Sequence, residues 1–352
     1  MEEVTQRKGW RLSGGVFPFL AVGLALLFTS LVLWAVGAPP LTTLHQLVVG
    51  SVGSTGKMAD VLVAWVPLLL ATSGLLITFA AGLWNIGIEG QITLGAVTTT
   101  WALRALQDSS LPPALVIVLA ILAGMLGGAL WAGLAGALRT FGGVNEIFGG
   151  LGLNFVASGL TLWLIFGPWK RPGIGSMSGT EPFPDSFWLP QLAGFRLSPW
   201  ALGLGIVGIV LVWLLLRGTY FGLRLKAVGS NRRAAFLLGV PTVRYLMLGF
   251  LLCGALAGAA GAVQVTAVYH RLIPSISSGY GFLGLLVAML AGYKAVWAIP
   301  VALFFAALNI GSIQLPIVLQ LDSSLSGVLQ GVLVLFVLMA GGLRQRLARS
   351  SR

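Results

Sequence analysis

Eight residues, Gly50-Ser51-Val52-Gly53-Ser54-Thr55-Gly56-Lys57, come near a phosphate-binding loop. That loop cradles phosphate with backbone N–H groups and needs Gly where Ser51 stands and Ser or Thr where Met58 stands. Gly203 to Gly208 and Gly279 to Gly284 both satisfy G-x-G-x-x-G. Neither follows a strand that opens a helix, which dinucleotide binding requires, so both read as packing glycines. No Ser/His/Asp or Cys/His set, no paired carboxylates and no metal-ligand spacing stand out, so no catalytic or metal residue is assigned. Cys253, the single cysteine, lies in an apolar run and excludes an internal disulfide framework. His45 and His270 stand far apart and read as structural donors.

The remaining chemistry is a few polar groups inside apolar surroundings. Glu89 is the acidic residue within an apolar stretch, with Asn85 and Gln91 beside it. A charge at the bilayer centre costs about 2.5–3.5 kcal/mol on insertion scales, so Glu89 needs a partner or a cavity. Asn85 and Glu89 would share one face if that segment is helical, since i and i+4 are neighbours. Asn145, Glu146 and Asn154 form a second group near a membrane boundary. All six can either satisfy broken backbone and pack the bundle, or line a translocation path.

The elements that must carry these groups follow from composition. Of 352 residues, 57% are hydrophobic and 9% charged, with mean hydropathy +0.96. A soluble domain carries about 25% charged residues, so the solvent for most of this chain is hydrocarbon. The net charge of +12 is spread between apolar runs. It therefore reads as membrane topology rather than nucleic-acid binding.

A membrane span takes about 20 mostly apolar residues as a helix, because every backbone polar group must be satisfied internally. The sequence predicts an all-α polytopic bundle of about ten spans: 16–36, 61–82, 88–106, 114–138, 147–166, 200–216, 245–268, 282–293, 296–315 and 325–343. The first stretch is too long for a signal peptide and lacks a small-residue cleavage site, so it reads as a retained helix. The short eighth segment could be re-entrant or extend back through Gly279.

With the N-terminus cytoplasmic, 15 basic residues fall inside and 6 outside, accounting for all 21. The positive-inside rule then places both termini inside, which suits an even number of spans. The chain divides into a cytoplasmic segment 1–15, a transmembrane domain 16–343 and a basic cytoplasmic tail 344–352. Segment 167–198, rich in Pro, Gly and Trp, reads as an ordered, non-helical extracytoplasmic cap. Segment 217–244 has six basic and no acidic residues. Ala234 to Leu238 within it predict a short helix ended by Gly239 and Pro241, suited to docking a cytoplasmic partner. Small residues at i, i+4 (Gly124 with Gly128, Ala132 with Gly136, Gly254 with Gly258) let helices approach closely in lipid.

Gly82-Leu83-Trp84-Asn85-Ile86-Gly87-Ile88-Glu89-Gly90-Gln91 resembles the G-x-x-N-I-G-x-E-G-Q signature of bacterial ABC-transporter permeases for branched-chain amino acids, simple sugars and nucleosides. Thr219 to Val240 is similar to that family's cytoplasmic loop for the ATPase subunit. Gly143 to Ile147, Leu153 to Phe155, Gly167 to Lys170, Gly279 to Phe282 and Leu329 to Gly331 add to the likeness, which covers about Pro67 to Leu343. The Asn-Glu segment and the Pro-Trp loop lean toward the nucleoside or simple-sugar branch. Two departures stand out: Asn231 is followed by Arg232-Arg233 where the family usually has Asn-Pro, and Lys294 stands near where the family commonly has a small polar residue and Pro.

The resemblance implies a non-catalytic permease subunit in the bacterial plasma (inner) membrane. Gly229, Asn231, Ala234, Ala235 and Gly239 would dock an ATPase, and Asn85, Glu89, Gln91, Asn145, Glu146 and Asn154 are the path-lining candidates. No cofactor is expected on this chain; ATP and Mg would bind two cytoplasmic ATPase subunits. A second permease (a related chain or a copy), an extracytoplasmic substrate-binding lipoprotein and membrane lipid complete the expected partners. The alternatives are an ion-coupled secondary carrier, a same-family importer for branched-chain amino acids and a membrane scaffold.

Overall fold

The computed structural model describes residues 37–173 and 179–319, with isolated positions between 27 and 34 and between 327 and 339. The described residues form helices α1 (Pro40–Val52), α2 (Thr55–Ala80), α3 (Ile88–Leu106), α4 (Pro113–Thr140), α5 (Glu146–Phe166), α6 (Pro199–Gly218), α7 (Tyr220–Ser230), α8 (Arg232–Leu237), α9 (Thr242–Val263), α10 (Tyr280–Leu290), α11 (Ala295–Ser312) and α12 (Gln314–Leu319). There is no strand among the described residues. Two compact units are distinguished, 51–310 and a smaller one made of residues up to 50 and from 311 onward.

Six described helices are long and apolar enough to cross a membrane: Thr55–Ala80, Pro113–Thr140, Glu146–Phe166, Pro199–Gly218, Thr242–Tyr269 and Ala295–Val318. The expected first and tenth spans, 16–36 and 325–343, lie largely outside the described residues. α1 was not expected. It lies between the expected spans 16–36 and 61–82, and Pro40 opens it, because proline at the first position gives up an N–H that has no helical acceptor. Within the smaller unit, Leu33, Ala38, Leu47 and Leu315 are buried together, and Gly311 lies against the Leu47 carbonyl.

In the larger unit, α5 and α6 show which solvent they meet. α5 buries Gly150, Asn154, Ala157, Thr161 and Ile165, one stripe at helical spacing. Its opposite face exposes Phe148, Phe155, Leu162 and Trp163. α6 likewise buries Gly205, Gly208 and Val212 while exposing Ile206, Val210 and Leu211. Helices apolar on both faces require hydrocarbon outside.

α3, α4 and α9 form the centre. A Cβ on Gly95 would strike Gly258; one on Gly128 would strike the Gly254 carbonyl and Gly258 Cα. One on Gly254 would meet Ala132, and Gly136 packs against the Phe250 ring. All three small-residue pairs read from the sequence therefore lie at the α4–α9 contact, where side chains would hold the backbones apart. α3 is less apolar than the six spans but largely buried. Its Thr93, Thr98, Thr99 and Thr100 hydroxyls donate to their own i−4 carbonyls at 2.8–2.9 Å, which satisfies them without water.

Residues 179–198 form an ordered segment whose only helical turn is Asp185–Phe187. It lies along the chain after α9. Thr180 N donates to Leu272 O, Phe183 N to His270 O and Leu189 N to Thr266 O, each at 2.9 Å. Trp188 stacks on His270 with ring centroids 3.7 Å apart, and burial there pushes the imidazole below its ordinary pKa range.

Candidate functional site

The chain breaks between α2 and α3. Gly82 takes φ +71, and Leu83 to Gly87 leave the helix. Such a break exposes carbonyls and the first N–H groups of α3, which have no helical partners and inside a bundle must find others. Side-chain amides supply them. Asn154 accepts from Gly90 N at 2.8 Å and donates to Ile86 O at 3.0 Å, tying α5 across the break. Asn85 and Gln91 exchange two amide hydrogen bonds at 3.0 Å, and Asn85 Nδ2 reaches Cys253 Sγ on α9 at 3.1 Å. Asn85 precedes α3, so the expected shared helix face with Glu89 is not formed, and the two have different partners.

Glu89 finds its partner 190 residues later in the chain. Its carboxylate accepts from Gly279 N at 3.1 Å and Gly281 N at 2.8 Å. The Ser277 side chain and the Phe282 N–H also face it. These donors form the start of α10, where free N–H groups and the helix dipole favour an anion. Gly281 is required because a Cβ would overlap Glu89. At 11 residues, α10 is about 16 Å long, roughly half of a hydrocarbon core of about 30 Å. The expected eighth span, 282–293, is therefore a half-helix, and it does not extend helically through Gly279. Discontinuous helices of this kind recur at transporter binding sites.

The segment joining α9 to α10 carries polar groups that the sequence reading passed over. α9 continues as a π-helical turn, Gln264–Tyr269, a feature frequent at functional sites. Gln264 Nε2 donates to Ile276 O at 3.1 Å and Ser278 Oγ at 3.3 Å, while Tyr269 Oη and Ser278 Oγ lie 3.2 Å apart. The available signal was Pro274 with the Ser275-Ile276-Ser277-Ser278-Gly279 run, which interrupts an apolar stretch. Beside Gly90, the buried Trp131 indole N–H on α4 has no acceptor among the described residues.

Asn145 and Glu146 belong elsewhere. Asn145 caps α5, accepting from Ile147 N at 2.8 Å, and is exposed. Glu146 lies 2.8 Å from Arg139 Nε, an ion pair whose N–H is not aligned on the carboxylate. Asn154 sits about 12 Å further along α5, at 1.5 Å per residue. The six candidates thus form a cluster of the buried Asn85, Gln91 and Asn154 with the half-buried Glu89, and a boundary pair. Asn154→Ala, which strands Gly90 N and Ile86 O, should destabilise the chain by about 2–6 kcal/mol, at about 1–3 per orphaned buried group. Asn145→Ala should cost about 1 kcal/mol as a lost cap. Denaturation in detergent checks the order, and an equal effect of both would contradict the assignment.

At one end of the bundle α7 and α8 form the element expected from 217–244. Asn231 caps α8, accepting from Ala234 N at 3.0 Å, and Gly239 ends it at φ +78. Ala235 is buried, whereas Phe236, Leu237 and Leu238 are 67%, 77% and 83% exposed. The Arg232 guanidinium is held below its ordinary pKa by burial and then by Arg139, with Glu146 opposing. Gly229 lies on the backbone of Ala80 to Gly82, so close that a Cβ would overlap the Ala80 carbonyl. The candidate docking element thus rests on the turn three residues before Asn85.

A family model described as branched-chain amino acid transport system / permease component matches residues 57–338. The chain belongs to this family. Among relatives of this permease chain, the glucose ABC transporter permease protein TsgB13 of Haloferax volcanii is 32% identical over 331 residues, 91% of this chain and 86% of the relative. The guanosine ABC transporter permease protein NupP of Bacillus subtilis is 25% identical, covering 95% of this chain and 96% of its own length. The nucleoside ABC transporter permease protein NupB of Lactococcus lactis subsp. cremoris is 26% identical, covering 84% and 83%. With six span-length apolar helices among its described residues, this permease is a multi-pass integral protein of the plasma membrane.

Proposed function

We propose that this permease forms the translocation path of an ATP-binding-cassette importer for a nucleoside or simple sugar. The observation that carries the reading is the α7–α8 element. It presents Phe236, Leu237 and Leu238 to a partner and rests through Gly229 on the turn that leads into the buried polar cluster. Movement of α8 by an ATPase would reach Gly82 first and the Asn85–Glu89 break next. Gly229, Asn231, Ala234, Ala235 and Gly239 are assigned to docking. Asn85, Glu89, Gln91 and Asn154 brace the discontinuous helices beside the path, with Asn145 and Glu146 at its boundary.

ATP hydrolysis, with its Mg, is assigned to two separate cytoplasmic subunits. A second permease or a copy of this chain and an extracytoplasmic substrate-binding lipoprotein complete the assembly, with both termini of a ten-span chain inside. The relatives named for guanosine, nucleosides and glucose support the substrate class. Transport would then be a shift between outward- and inward-open populations.

Affinity purification from native membranes tests the division of labour, with ATPase subunits expected to co-purify and their reproducible absence counting against it. Ala234→Asp and Gly239→Asp should reduce uptake at least tenfold while membrane insertion stays normal. Normal ATPase recruitment and uptake in both variants would overturn the docking assignment. Uptake by this chain alone, driven by an imposed ion gradient, would instead establish the secondary carrier.

A further inference from the structure

Lys294, unexplained by the family pattern, lines a cleft of about 530 Å³ between the ends of α2 and α6, α7 and the start of α11. Arg217 and Lys226 are the other two cations in its wall, and no carboxylate lines it. Arg217 lies over the Trp213 ring at 5.4 Å, and Lys226 Nζ donates to Leu216 O at 2.6 Å. No carboxylate among the described residues pairs with any of the three. The turn that delivers Lys294 is held by Gly292 and Tyr293 at φ +58 and +60, a conformation Tyr rarely adopts. Trp213 and Trp297 also line the cleft, and aromatic side chains are enriched at the headgroup level.

A second observation specifies the ligand. Trp213, Ala295 and Val296 are shared with a furrow of about 100 Å³ that continues along Ile209, Val210 and Ile299, lined by apolar side chains alone. Arg217 and Ile209 are eight residues apart on α6, so the furrow runs about 12 Å from the cations toward the bilayer interior. A basic chamber opening into an apolar furrow matches a phosphate head with an acyl chain. A free phosphate would use only the chamber. Basic pockets between membrane helices attract anionic lipid headgroups.

We propose that this cleft binds an anionic phospholipid, with its phosphate among Arg217, Lys226 and Lys294 and an acyl chain in the α6–α11 furrow. The lipid would join α11 to α6 and α7, next to the element proposed to receive the ATPase, and neutralise charges that no carboxylate among the described residues pairs with.

The test is native mass spectrometry of the purified full-length chain titrated with phosphatidylglycerol, phosphatidylcholine of the same acyl chains, and inorganic phosphate. Phosphatidylglycerol should bind at least tenfold more tightly than phosphatidylcholine, and phosphate should not displace it. Lys294→Gln should weaken it about fivefold, the factor for one basic residue at an anionic membrane surface, whereas Arg196→Gln in the 179–198 segment should not. Val210→Trp, which fills the furrow and keeps every cation, should also weaken phosphatidylglycerol at least fivefold. This variant decides the matter if Lys294→Gln lowers the melting temperature. Equal binding of the two lipids, or full binding by Val210→Trp, would overturn the proposal. Displacement by millimolar phosphate would convert the site to one for free phosphate.

Discussion

Glu89→Ala is expected to destabilise the chain by about 2–6 kcal/mol, at about 1–3 kcal/mol for each of the two backbone donors it strands. Uptake should fall more than tenfold. The carboxylate is the anchor of α10. It accepts from Gly279 and Gly281 where α10 begins, at N–H groups that have no helical acceptor of their own. Glu89→Gln separates charge from shape. Its amide oxygen can accept from one N–H, but its NH₂ must then face another donor, so about half the destabilisation should remain. The order Ala, Gln, wild type, read by melting in detergent and by uptake in the assembled transporter, checks the anchoring role. Wild-type stability and uptake in both variants would remove it. Loss of uptake in Glu89→Gln with stability and ATPase recruitment intact, and transport that follows an imposed pH gradient, would instead identify a proton-coupled carrier.

Span lengths were legible because they depend on composition over about 20 residues, and the structure keeps 88–106, 114–138, 147–166, 200–216 and 245–268 within a few residues. α8 was legible because its signals are local: the apolar run Ala234 to Leu238 ends at Gly239 and Pro241, whereas the Asn231 cap at its start emerged from the structure. Within the polar cluster, the sequence showed that Glu89 needed a partner but not which. The partner is backbone rather than a cation, and it comes from the far side of the chain, beyond any spacing rule. The expected 282–293 segment matches Tyr280–Leu290 to within three residues, but whether it spans stayed open, because Leu283 to Leu290 is apolar throughout and hydropathy does not distinguish half of a span from a truncated one. Its true start is marked by Gly279 at φ +73, directly after Ser277-Ser278. Gln264 was passed over for a related reason: one amide in an apolar run looks like a packing residue until the π-turn aims it at Ile276 and Ser278.

Gly258→Leu is expected to prevent assembly of the α3–α4–α9 centre. The sequence treats its 49 glycines alike, whereas the structure separates them by what a Cβ would meet. At Gly258 it would meet the Gly124 carbonyl and Met125 Cα of α4, while the Cα of Gly258 itself fills the space that a Cβ on Gly95 of α3 would need. These neighbours are backbone on two sides, so no rotamer change relieves the contact and whole helices must separate. Overpacking a well-packed core costs about 1–3 kcal/mol when side chains can adjust, so here the loss should be about 3 kcal/mol or more. Gly203 and Gly152 meet nothing within 4 Å. Replacing either with Ala should be neutral or stabilising by up to about 1 kcal/mol through helix propensity. Melting temperature and monodispersity in detergent compare the three sites directly. A Gly258→Leu protein that melts with the wild type would show that α3, α4 and α9 are not held at backbone contact.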